Sequence, residues 1–450
     1  MKYRFSLRTA LGGVFAMGIL FALLANEVVE FERYRRQDKA ISALSAPWNI
    51  VLCTNDYELR CVRGKVYSLL GVHMRMDTEM RLTSRLPRED LAAFAGVKDC
   101  FSLRSFYCQG AQIDDEELDL LAAAPHLQIF SLRNSPVTAR GIRHLRRLPE
   151  LRTLRIEKSI IPDDLAVELS ALTKLKTLDV SGSTISDRAA AAIGASRSLE
   201  ELDCTNSSLT DEGAAEFVKL PRLKTLTLAG TPITGAGLFR FAPSPTLTHL
   251  DLASRWGSWS EFEQVDPDHE ARPLDISGLA GNRTIECLQL HGRSLGPASL
   301  AALGSLVGLR ELGLIDSAAD DATLQSLQGL PRLAILLVSG SEISDDGLKC
   351  CRKLPALKKL SLSRNRIGDK GLEYLKSAKS LEELDLVATN VTASGLLALK
   401  GHPSLKHVYV DMNLPDDSLA AVQQAISTFQ IEQFGRYHSC DVELYRGDVP

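Results

Sequence analysis

The chain has 450 residues, enough for two or three globular domains or for one elongated repeat domain that no single core limits. Its 52 Lys plus Arg against 56 Asp plus Glu leave a formal charge of −4, too balanced to hold a polyanion, so nucleic acid is not expected as a partner. With 6% aromatic residues the core is filled mainly by Leu, Ile, Val and Ala, and nine cysteines without a C-x-x-C pair suggest neither zinc nor a dithiol redox centre.

From Thr9 to Asn26 there are 18 residues without a charge, preceded by Lys2, Arg4 and Arg8. At about 1.5 Å per residue they make roughly 27 Å of helix, enough to cross a hydrocarbon layer, so residues 1–30 are expected to be a transmembrane anchor. The competing reading, a cleaved signal peptide, would have a shorter apolar region, and Leu23-Leu24-Ala25 lacks the small residue three before a cut. Basic residues flank the span on both sides, with Arg33, Arg35, Arg36 and Lys39 on its C-terminal side, so charge counting leaves its orientation open. An N-terminal span usually acts as an export signal, and the expectation is a single-pass protein with its large C-terminal part outside the cytoplasm. Residues 31–76 read as a charged helix, Phe31 to Leu44, and a hairpin of Asn49–Leu52 with Lys65–Leu70 that caps the remainder of the chain.

That remainder is repetitive. A 24-residue unit restarts at Leu103, Leu127, Leu151, Leu175, Leu199, Leu223 and Leu247, and again at Ile285, Leu309, Leu333, Leu357, Leu381 and Leu405. In the unit from Leu357, Leu360 and Leu362 alternate with Lys359, Ser361 and Ser363, the pattern of a short strand wet on one face. Ile367 turns the chain inward, Asp369 stands where a helix should begin and could cap it, and Leu372 and Leu375 share a helical face. Gly213, Gly237, Gly347, Gly371 and Gly395 share one phase, and Pro149, Pro221, Pro331 and Pro355 share another, where each stops a helix. No unit can bury its leucines alone, so neighbours must stack. Cys108 and Cys204 fall on inward strand positions and read as small hydrophobes, while the spacings of Cys53 with Cys61 and Cys100 with Cys108 leave local bridges open.

The pattern L-x-x-L-x-L-x-x-(S/T/N)-x-I-(T/S)-D-x-G-L-x-x-L-x-x-L-P resembles the leucine-rich repeat family, in the version of the ribonuclease-inhibitor-like and cysteine-containing classes. It is most similar to a bacterial group of short repeats behind an N-terminal span, and departs from the eukaryotic cysteine-containing class in its 24-residue length and its Leu-Pro. The resemblance covers about residues 77–428, with 429–450 as a C-terminal cap. It implies an α/β solenoid, a horseshoe with a parallel concave sheet and short convex helices, whose concave face or loop rim binds another macromolecule.

Outward strand positions carry Tyr107 and Arg155 early, then an acidic stripe of Asp179, Asp203 and Asp251 that could meet a cationic protein surface; a merely soluble spelling of the strand is the alternative. The seventh unit runs 38 residues instead of 24, and the insertion, at 254–275, holds Trp256, Trp259 and Phe262. Aromatics on a segment that stacking does not need are candidate partner anchors. Asp266, Asp268, His269 and Glu270 match no calcium or zinc loop, and G-x-S-x-G, H-E-x-x-H and phosphate-cradling loops are missing, so no metal, cofactor or enzymatic activity is expected. The function expected is protein recognition or scaffolding at a membrane; an architectural envelope protein binding glycan or itself is the alternative, and a site at His249, Asp251 and His291 is the enzymatic one.

Overall fold

A computed structural model describes residues 51–54, 78–82, 103–108, 113–241, 244–254, 272–426 and 428–434. The segment from Thr9 to Asn26 lies outside them; among the described residues no helix is long and apolar enough to cross a membrane. The chain divides into two compact units, residues 1–159 and 160–450.

In the first unit Val51–Thr54 runs antiparallel to Thr78–Leu82, and then Leu103–Cys108, Ile129–Arg133 and Thr153–Glu157 follow in parallel. Of the expected hairpin, the strand at 51–54 is present and pairs with 78–82, and residues 65–70 lie outside the described ones. Antiparallel addition at the end of a parallel ladder pairs the backbone groups of Thr78–Leu82, which would otherwise be left open.

The second unit is an uninterrupted parallel ladder. Thr177–Asp179, Glu201–Asp203, Thr225–Thr227, His249–Asp251, Cys287–Gln289, Glu311–Gly313, Ile335–Leu337, Lys359–Ser361, Glu383–Asp385 and His407–Asp411 pair in chain order. Gln430–Phe434, expected to be a cap, extends the ladder by one more parallel strand. Residues of equal phase face each other throughout, Leu202 opposite Leu226 and Leu360 opposite Leu384, because a one-residue slip would turn every leucine to the other face. Leu178, Leu202, Leu226, Leu250, Leu288, Leu312, Leu336, Leu360 and Leu384 form the buried inward row. Cys108 in the first unit and Cys204 in the second are buried free thiols, so Cys108 is not bridged to Cys100.

Short helices such as Asp187–Ile193, Asp211–Glu216, Asp321–Ser326 and Asp369–Leu375 form the opposite layer. The helical segments that precede proline end alike. Leu148, Leu220 and Leu330 leave the helical region with ψ of 109°, 110° and 98°, because the ring of the next residue, a proline, crowds an α-helical predecessor. Two repeats depart from the expected helix: Gly347–Lys353 is 3₁₀, and a single 3₁₀ turn, Ser277–Leu279, comes after the insertion.

The N-cap of the helix Asp369–Leu375 is Gly368, whose N–H donates to Asp345 Oδ1 of the preceding repeat at 2.8 Å, and this helix is not capped by Asp369. Its carboxylate instead reaches the next repeat and accepts from the backbone N–H and the hydroxyl of Thr392, each at 2.8 Å. The same clamp joins Asp115 to Thr138, Asp211 to Thr234 and Asp321 to Ser344, and Asp187 accepts from the Thr210 hydroxyl. Several of these hydroxyls also accept from their own helices, Thr138 from Arg140 N–H and Thr392 from Gly395 N–H. One Ser or Thr thus caps its helix and ties it to the repeat before. The shared glycine has its reason in the same geometry: a Cβ on Gly213 would lie 2.6 Å from Asp187 Oδ1, and one on Gly371 would lie 2.6 Å from Asp345 Oδ1.

Candidate functional site: the open face of the sheet

Because each strand alternates, the residues on either side of the inward leucine stand on the face turned away from the helices. In the first unit Tyr107, Ser131 and Arg155 share one row by direct register, Tyr107 half-buried and Arg155 exposed. In the second unit Asp179, Asp203, Thr227, Asp251, Gln289, Gly313, Leu337, Ser361, Asp385 and Tyr409 share one row. The acidic stripe is therefore a spatial row, but its carboxylates also have a backbone task. Oδ1 of Asp179 accepts from Ser181 N–H, that of Asp203 from Thr205 N–H and that of Asp251 from Ala253 N–H, at 2.8 to 2.9 Å. Asp385 does the same for Val387 and also accepts from the Ser361 hydroxyl. An aspartate two residues before a turn closes it from the side chain, the physical reason the spelling L-D-L recurs.

Asp251 differs from its row neighbours. Burial, with the charge of Asp203 beside it, pushes its carboxyl up to about 6 against the opposing pull of Ala253 N–H and the Arg293 guanidinium. Arg293 is itself buried and donates through Nε to the Leu252 carbonyl at 2.7 Å. It occupies the phase at which other repeats carry a small polar residue such as Thr231, Ser317 or Asn365, and so holds the strand end from which the insertion departs.

The three residues of the enzymatic alternative lie in this region, each engaged in a local bond. His249 shares a hydrogen bond with Thr248 Oγ1, and buried His291 accepts at Nδ1 from Ile315 N–H. Burial drives His291 down to about 4, so the ring is neutral, and the lone pair facing Ile315 is engaged by backbone. Trp256, Trp259 and Phe262 lie outside the described residues, as do the metal candidates Asp266, Asp268, His269 and Glu270. Among the described residues no group of three or more His, Cys, Asp or Glu side chains could hold a metal ion. Ser254 and Arg272 bound the undescribed segment; Arg272–Pro273 pairs with Arg293–Ser294, so the repeat resumes its register directly after it.

The residue just before the strand, which the leucine period does not mark, builds ion-pair rows in two places. Glu200 sits between Lys176 and Lys224, 2.8 Å from each ammonium, and the two lysines hold its carboxyl down at about 2. Glu382 sits likewise between Lys406 and Lys358, which lower its carboxyl. Alternation of charge at one phase of the repeat is the sequence signal that reveals it.

Residues 171–194 and 353–376 match a family model described as Leucine Rich repeat. No curated protein matches the chain. Among solved structures, the chain is similar to TLR13 in its complex with ssRNA13, with a TM-score of 0.52 and 17% identity over 76% of this chain and 48% of that one. It thus spans about half the length of that chain. It is also similar to a leucine-rich repeat protein of Leptospira interrogans, TM-score 0.49 and 18% identity over 82% of this chain and 92% of that one. An internalin of Listeria monocytogenes gives a TM-score of 0.47 and 19% identity over 76% and 92% of the two chains. At such identities the likeness is one of fold.

Proposed function

We propose that this leucine-rich repeat chain is a recognition protein that engages a protein partner through the open face of its sheet and the segment between Ser254 and Arg272, held at a membrane by Thr9 to Asn26 with its repeats outside the cytoplasm. The supporting observation is the ladder itself. Strands locked by parallel register and by aspartate-closed turns present side chains in straight rows, Tyr107–Ser131–Arg155 in one unit and the aspartate row in the other. Such rows are organised before binding, so little ordering entropy opposes association. Trp256, Trp259 and Phe262 belong to a segment the repeat does not require, and aromatic residues there suit interface anchors.

A photo-crosslinking residue placed at Glu201, exposed on the open face, should capture a defined protein in the native host, whereas one at Glu212, exposed on the helix Asp211–Glu216, should not. Equal capture from both positions would remove the open face from the proposal.

A further inference from the structure

The pre-strand phase stacks one repeat on the next through backbone bonds: Lys224 N–H donates to Glu200, Ala334 N–H to Arg310 and Lys358 N–H to Ala334, each at 2.8 Å. Side chains at this phase are therefore nearest neighbours, and the chain fills the space between two cations with a carboxylate. Glu200 does so between Lys176 and Lys224, and Glu382 between Lys358 and Lys406. In the first unit Gln128 stands between Arg104 and Arg152, and there Glu150 steps in. It accepts from Gln128 Nε2 at 3.1 Å, bonds His126 Nδ1 at 2.7 Å and lies 3.8 Å from Arg104.

At Ala334 the pattern fails. Arg310 and Lys358 flank it, but the residue between them has only a methyl group. The phase that supplies Glu150 in the first unit is Ala356 here, and the phase of His126 is Arg332. Arg332 is exposed and forms no ion pair among the described residues. Among the described residues Arg310 is met by Glu286 alone, at 3.3 Å, and Lys358 by Glu382 alone, which Lys406 shares. The result is an open depression of about 460 Å³ walled by Arg310, Arg332, Lys358, Pro331, Pro355 and Ser380.

We propose that this depression is an anion subsite that takes the side-chain carboxylate of an acidic segment on a partner protein, in the place Glu200 and Glu382 hold between their own lysines. The proposal rests on the recognition reading for the nature of the partner, but its anion chemistry stands on the repeat alone. Three cationic residues line the place where the chain elsewhere supplies its own carboxylate, and the planar fork of a guanidinium favours a bidentate acceptor such as a carboxylate. Pro331 and Pro355, with their ring-fixed φ, form part of the wall.

The test uses the full chain and a fluorescein-labelled hexaglutamate peptide read by anisotropy, with hexaglutamine as the neutral comparison. Hexaglutamate should bind and hexaglutamine should not, and binding should fall with added salt. Ala334→Glu places an internal carboxylate between Arg310 and Lys358 and should weaken hexaglutamate about tenfold. Ala334→Gln, of equal bulk without charge, should leave binding within about threefold of the parent chain. Ala334→Glu should melt no lower than the parent, which shows that it folds. Wild-type affinity in the Ala334→Glu chain, an equal loss with Ala334→Gln, or hexaglutamine binding as well as hexaglutamate would each overturn the subsite. Displacement of the peptide by inorganic phosphate at lower concentration than by acetate would overturn the carboxylate assignment. Capture of a partner at Glu201 in the absence of hexaglutamate binding would defeat this inference and leave the recognition reading standing.

Discussion

Ala388 has φ of 55°, in the left-handed region that costs an L-residue about 1 to 2 kcal/mol. The position is one phase of the repeat, which glycine fills at Gly182, Gly230, Gly292 and Gly340 and other side chains fill at Asn134, Lys158, Asn206, Asp316 and Arg364. Ala388→Gly should therefore stabilise the chain by up to about 1 kcal/mol, net of the entropy glycine adds to the unfolded state, as read from urea midpoints. At Gly340 a side chain is excluded for a second reason, because the Asp316–Arg364 ion pair, 2.9 Å long, closes across it. The two titrating groups of this region, half-buried Asp251 and buried His291, have opposite signs. Asp251, raised to about 6, disfavours the fold when ionised, so its penalty is present above pH 6 and fades as the pH falls toward its unfolded value near 4. His291, lowered to about 4, contributes stability that is complete above its unfolded value near 6.5 and is lost as the pH falls toward 4. Asp251→Asn should stabilise the chain by at most about 3 kcal/mol at pH 8 and by little at pH 4. A gain that does not vary with pH would show that the carboxyl is not enclosed.

At the scale of one repeat, stability comes from the inward leucines and from the clamp between helix starts. Leu360→Ala removes a fully buried side chain and should cost about 2 to 5 kcal/mol, measured by urea unfolding. Gly371→Ala should cost about 1 to 3 kcal/mol, because its Cβ displaces the Asp345 carboxylate. In an Asp345→Ala background most of that cost should vanish, and a double-mutant cycle measures the relief. Additive effects of the two changes would mean that the clamp and the glycine are independent. The leucine period and the proline stops were legible in the sequence, since they reflect a residue's own hydrophobicity or ring, and the glycine phase was legible as a pattern although its reason, room for the preceding repeat's aspartate, was not. The clamp was not, because Asp369 looks like a cap for its own helix, and only stacking brings Thr392 within reach of it.

Over the whole chain the rows assigned to partner contact fall in different compact units, Tyr107 and Arg155 in the first, Asp179, Asp203 and Asp251 in the second. In a repeat array each unit is stabilised by its immediate neighbours, so surface changes in one row should leave the other row's binding intact. The proposed tether belongs to this scale as well. Deleting residues 2–26 should move the protein from the membrane fraction to the supernatant on fractionation without lowering its melting temperature, because each repeat is stabilised by its immediate neighbours. Retention in the membrane fraction would sink the anchor.

The sequence by itself determined the period, the inward leucines, the place of the insertion and the absence of familiar catalytic motifs, because a pattern that recurs in phase thirteen times states which residues must be buried together. Only the tertiary structure decided what the polar residues do. The aspartates of the strand row close their own turns, the aspartates at the helix starts bind the next repeat, and an alanine between two cations leaves an anion's place open. Hydrophobic burial depends on period alone and is written along the chain, whereas a hydrogen bond or an ion pair needs a partner some 24 residues away, and stacking chooses that partner.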